Sequence, residues 1–231
     1  MGAALGSGVL TGLCFPPADL GLVALFALVP LLWSWRGARP GHAALYGFAF
    51  GIGCYGVTLA WIRYFGVVAI VPLVAAMAAT VALAGFLVGL LARRGVSSPF
   101  LTAAVWVVIE SLRGRWPLGG FPWSDLGVAL HGVPTARALA SLGGTALVSF
   151  VVVAVNAFVL DGARAVGARA VRAREVRAVA FAAGGLVALL GFSVVADLAR
   201  FEPRVTGHLR VALLQGDDEE LPLAEQTTQS L

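Results

Sequence analysis

The sequence predicts an all-α polytopic membrane helix bundle of about seven apolar segments, followed by a polar tail that opens on a single β-strand. Three observations predict it. Of the 231 residues, 59% are hydrophobic and 12% charged, which leaves too little polar surface to solvate a globule of this length. Mean hydropathy is +0.91, and the apolar residues gather in long runs. Short breaks between the runs carry the basic residues, all 16 of which are arginine; the chain has no lysine.

Residues 3–15 are small and apolar and stop at Pro16-Pro17. As a helix, thirteen residues rise about 20 Å, short of a hydrocarbon core of roughly 30 Å. This run therefore reads as a half-span, a re-entrant piece or a truncated start. No positive n-region precedes it, so it does not read as a secretory signal. A second span covers 19–35, kinked at Pro30 and ending in Trp33 and Trp35. A third run, 43–62, contains Gly47 and Gly51, a small-xxx-small pair that lets helices approach closely. An aromatic interfacial turn follows at Trp61, Arg63, Tyr64 and Phe65, and a long span at 65–92 ends at Arg93-Arg94.

The fifth span begins after Pro99 and runs to about Leu112, closing on Glu110 and Arg113. These two stand at i,i+3, share a helix face and are expected to pair. A lone carboxylate at mid-bilayer costs roughly 2.5–3.5 kcal/mol on insertion scales, so Glu110 is expected near a membrane surface with Arg113 as its partner. Pro117, Gly119, Gly120 and Pro122 then rule out a regular helix, and 114–137 reads as an irregular aromatic loop, with Leu126–Leu130 against the membrane surface. A sixth span fits 138–160, with Gly143-Gly144 early and Asn156 late; an intramembrane Asn hydrogen-bonds a neighbouring helix. The five arginines of 161–177 scatter around the whole helix circumference and have no interleaved aromatics, so this stretch is expected to be a solvated loop and no nucleic-acid partner is expected. A seventh span covers 178–199.

With the N-terminus in the cytoplasm, nine arginines fall on the inside (Arg36, Arg39, Arg93, Arg94 and the five of 161–177). Four fall outside (Arg63, Arg113, Arg115 and Arg137). The chain is thus expected to be a multi-pass protein of the cell (cytoplasmic) membrane, with residues 1–200 as the helical domain and 201–231 as an extracytoplasmic tail whose residues 205–216 form one strand. Cys14 and Cys54 lie in apolar context and offer neither a disulfide framework nor metal-ligand spacing, and neither cofactor nor metal is expected.

Taken together, Trp106, Glu110, Arg113, the Gly119-Gly120-Phe121-Pro122-Trp123 run, Gly127, Ser149, Asn156 and the final VALLQG strand resemble bacterial apolipoprotein N-acyltransferase. Phe15-Pro16-Pro17 and the turn near Trp61 fit the same pattern. The resemblance implies that residues 201–231 begin a nitrilase-like α/β domain, incomplete here. It also implies a reaction in which an acyl chain passes from a phospholipid to a cysteine and on to the amino group of a lipoprotein's diacylglyceryl-cysteine. The family performs this with a Glu-Lys-Cys triad: thiolate as nucleophile, carboxylate as proton carrier, lysine near the oxyanion. This chain has no lysine and no cysteine beyond Cys54, so no catalytic residue is carried over, and the chain alone is expected to be inactive.

What carries over is the membrane part, with a phospholipid acyl donor and, in the complete enzyme, an apolipoprotein substrate as partners. Glu110, Arg113, Arg115, Trp116, Gly120, Phe121, Pro122, Trp123 and Asn156 form the candidate lipid-entrance or structural motif. In one reading, Arg113 or Arg115 sits near a phosphate and the tryptophans lie at headgroup depth. In the other, Glu110 and Arg113 fix a helix end while the tryptophans anchor the interface. Two further functions stay open: a non-catalytic membrane scaffold for a separate enzyme, and a small transporter.

Overall fold

The computed structural model describes residues 1–117 and 119–167, together with scattered positions between 180 and 207. Among the described residues there are seven α-helices and no strand. The helices are α1 (Gly2–Gly12), α2 (Ala24–Ala27), α3 (Val29–Trp35), α4 (Pro40–Thr58), α5 (Val67–Arg93), α6 (Pro99–Arg113) and α7 (Pro134–Gly167). Short 3-10 turns cover Gly21–Val23, Ala60–Phe65 and Leu126–Leu130. The seventh expected span, most of the arginine segment and the tail strand lie outside the described residues.

Val67–Arg93 and Pro134–Arg164 are long and apolar enough to cross a membrane, while α1, at 11 residues, is only a half-span. The second expected span is a broken one. A 3-10 turn and α2 give way at Leu28 to α3, because Pro30, in the first turn of α3, has no N–H to continue the ladder. Asn156 of α7, fully buried, takes up the backbone groups this break releases. Its Oδ1 accepts from the Leu28 N–H at 3.0 Å, and its Nδ2 donates to the Ala24 carbonyl at 2.8 Å.

Helices α4 and α5 pack tightly because glycines line their contact. A Cβ at Gly47 would collide with the Val81 carbonyl, and one at Gly51 with Ala78; from α5, Gly85 presses against Ala43 and Gly89 against Pro40. The same holds between α1 and α4, where Gly8 lies on Phe50 and Gly53 on Leu5. Phe50, Leu28, Leu31, Leu59, Leu126 and Val152 fill the interior.

α6 starts on Pro99 with the Ser98 side chain accepting from the Leu101 N–H at 3.0 Å. Its far end abuts the Leu126–Leu130 turn. That turn was expected against the membrane surface; instead Leu126, Gly127, Ala129 and Leu130 are buried. Gly127 permits this, since any side chain there would strike the Thr145 carbonyl on α7. α7 is itself interrupted at Gly143 and Gly144, whose backbone leaves the helical region (Gly144 φ +65°) before the helix resumes at Thr145.

Candidate functional site

The chain's unusual polar residues converge where α4 and α6 end and α7 resumes. Tyr55 comes from the last turn of α4, Glu110 and Arg113 from the last turn of α6, Asp125 from the loop beyond and Ser149 from α7. Arg113 is their hub. Its side chain is 3% exposed, it donates to the Tyr55 hydroxyl and to the Asp125 carboxylate, and its guanidinium carbon lies 5.3 Å from the centre of the Tyr55 ring.

Glu110 and Arg113 pair as their i,i+3 spacing predicts, at 3.9 Å, while Arg113 makes its closer contacts to Tyr55 and Asp125. Glu110 also accepts from the Leu126 N–H at 2.8 Å and from the Trp106 indole N–H at 3.3 Å. The Glu110 carboxylate is enclosed by protein rather than by solvent. Its side chain is 9% exposed, because protein donors and a cation replace the water a carboxylate needs. Asp125 and Tyr55 lie 12 and 58 residues from Arg113, out of reach of any local spacing rule. One sequence signal pointed at Asp125: an isolated acid in the Gly/Pro-rich loop following the helix. Burial pushes the Asp125 carboxyl above its ordinary range, and the Arg113 guanidinium opposes the shift. Ser149 completes the cluster by accepting from the Gly127 N–H at 2.8 Å, which ties the buried turn to α7. A cavity of about 10 Å³ between Tyr55, Thr80, Trp106, Glu110 and Arg113 has room for one water.

The loop folds back on the helix it leaves. The Phe121 N–H donates to the Arg113 carbonyl at 2.9 Å and the Gly120 N–H to the Pro117 carbonyl at 2.8 Å. Gly120 has φ +83° and lies directly on the backbone of Gly114 and Arg115, so it must be glycine for two independent reasons. The fold-back places Phe121 and Trp123 in a stack at 6.1 Å, and Trp123 meets Trp61 of the neighbouring 3-10 turn at 5.0 Å. Trp116 is 68% and Trp123 51% exposed on this loop.

The same loop borders an open groove of about 310 Å³, lined by Ser111, Gly114, Arg115, Pro122 and Thr145 together with Glu110 and Asp125. Of the two arginines considered for a phosphate, Arg113 is enclosed and already engaged. Arg115 is exposed on the groove, its one contact being a 3.0 Å hydrogen bond to the Ser111 carbonyl. Glu110, Arg113, Arg115, Gly120, Phe121, Pro122 and Trp123 are thus one assembly, with Trp116 exposed on the same loop; Asn156 is separate, since its partners are Ala24, Leu28 and Val152.

Residues 7–158 match the family model described as apolipoprotein N-acyltransferase N-terminal domain. Curated relatives described as apolipoprotein N-acyltransferase include those of Methylococcus capsulatus (38% identical, 54% of this chain and 27% of the relative), Haemophilus ducreyi (29%, 92% and 42%) and Nitrosomonas europaea (36%, 54% and 28%). The chain therefore spans between about a quarter and two fifths of the length of these relatives.

Proposed function

The chain belongs to the apolipoprotein N-acyltransferase family through its N-terminal domain, and from that premise we propose that it acts as the lipid-holding membrane part of such an enzyme. In this reading a phospholipid enters the groove between the end of α6 and the resumed α7. Its phosphate lies against Arg115 and its headgroup beside Trp116 and Trp123. The buried Arg113 hub does not touch the lipid; it holds the loop that shapes the groove. The acyl chain is destined for a cysteine in a nitrilase-like domain beginning near residue 201, and then for the amine of an apolipoprotein. No residue of this chain is assigned to that chemistry: it has no lysine, and Cys14 and Cys54 are both buried. The N-terminus lies in the cytoplasm and the groove faces the outer leaflet, as the arginine distribution supports.

The observation that carries this reading is an exposed cation, Arg115, on the lining of an open groove, with the exposed Trp116 and Trp123 on the same loop, at the bundle end where Arg113 already engages Tyr55 and Asp125. The test uses the purified chain in nanodiscs containing a diacyl phospholipid with a photoactivatable headgroup. Cross-links should concentrate on peptides covering 111–123 and fall several-fold in Arg115→Ala. Labelling spread evenly over all helix ends, unchanged by the substitution, would refute the assignment.

A further inference from the structure

A second groove lies where the start of α4 meets the end of α5, at the end of α4 opposite Tyr55. It encloses about 520 Å³. Arg39, His42 and Arg93 line it on the polar side, and Leu45 and Phe86, 54% and 40% exposed, form its apolar wall. Among the described residues no carboxylate lines this groove, and neither arginine has an ion-pair partner. Arg36 nearby differs, being paired with Asp161. The floor is rigid because Gly85 and Gly89 bring α5 against Ala43 and Pro40.

We propose that this groove is a binding site for an anionic diacyl phospholipid of the leaflet at the arginine-rich end, independent of the acyl-donor groove and of any catalysis. The lipid's phosphate lies between Arg39 and Arg93, with His42 beside it, and the start of one acyl chain runs along Leu45 and Phe86. Two features select this occupant. The apolar wall continues onto α5, one of the two helices long and apolar enough to cross a membrane, so a lipid reaches the groove without leaving its leaflet. Two unmatched guanidinium groups with no acid beside them favour a net-negative headgroup; a zwitterionic head would bring a cation that finds no partner there.

Native mass spectrometry of the full 231-residue chain, released from micelles holding equal amounts of phosphatidylglycerol and phosphatidylcholine, tests this. Phosphatidylglycerol should be retained roughly thirtyfold over phosphatidylcholine, the scale expected of two arginines at a membrane surface. In Arg39→Gln/Arg93→Gln that preference should fall to within about twofold. Phe86→Ala, which leaves the charges in place, should weaken retention of both lipids alike. Arg36→Gln should leave the preference unchanged, since that side chain is neutralised by Asp161. Three results would overturn the site: no preference in the parent chain, a full preference in the double variant, or an equal loss in Arg36→Gln, which would mean bulk charge alone. If the double variant does not fold, Arg93→Gln at the exposed end of α5 decides the matter by the same readout, loss supporting the site and full retention refuting it.

Discussion

Replacing Asn156 with leucine tests the account of the broken second segment. The two side chains share a branched skeleton, so the substitution removes hydrogen bonding while roughly keeping shape. The Leu28 N–H loses its 3.0 Å acceptor and the Ala24 carbonyl its 2.8 Å donor, both in an interior where Asn156 is fully buried. The Val152 carbonyl keeps the N–H of residue 156 through the helix ladder and is not stranded. An orphaned buried backbone group costs about 1–3 kcal/mol, whereas a side-chain hydrogen bond between membrane helices is worth about 0.6 kcal/mol on average and at most about 1.7. Two stranded groups give about 2–6 kcal/mol on the first scale and about 1–3 on the second, so a loss of about 2–3 kcal/mol is predicted, where the two overlap. Unfolding in mixed micelles with increasing dodecyl sulfate measures it. A lipid-facing control, Val108→Leu at a position 62% exposed, should stay within about 0.5 kcal/mol. Hydrogen exchange adds a local readout, since the Leu28 amide should lose protection before its neighbours in α3. A loss under about 0.5 kcal/mol, with Leu28 still protected, would mean that the break satisfies itself and that Asn156 is not its partner.

Three other outcomes are expected. Asp125→Asn should destabilise by about 2–3 kcal/mol, less than the roughly 3–5 of a fully enclosed pair, because the Asp125 side chain remains 21% exposed; Tyr55→Phe should cost about 1 kcal/mol in the same titration. Gly120→Ala should lower the thermal midpoint through about 1–2 kcal/mol of left-handed backbone strain plus the collision with Gly114 and Arg115, whereas Gly132→Ala, which meets nothing within 4 Å, should be neutral. The purified chain incubated with acyl-labelled phospholipid should form no thioester; a hydroxylamine-sensitive label on Cys14 or Cys54 would contradict the assignment of catalysis to residues outside this chain.

Helices were legible in the sequence wherever one local signal sufficed. Pro99 and Arg113 bracket α6, and Pro30 marked a distortion in the second segment, whereas the run read from residue 43 starts three residues earlier, at Pro40. Partners that depend on how distant helices register were not legible. The i,i+3 spacing correctly put Glu110 and Arg113 on one face, but the closer contacts run to Tyr55 and Asp125, which meet Arg113 only once α4 and the loop have docked. The Leu126–Leu130 turn shows the same limit. Its apolar character suits a lipid surface as well as a protein interior, and the choice rests on whether Gly127 can press against Thr145.

The stitch between Leu28 and Asn156 joins residues 128 positions apart, which bears on the order of events during synthesis. A ribosome releases the interrupted segment long before it reaches α7, so until then the Leu28 N–H and the Ala24 carbonyl, four residues apart, have only each other or water as partners. The bridge across the break is therefore completed only once α7 has been made.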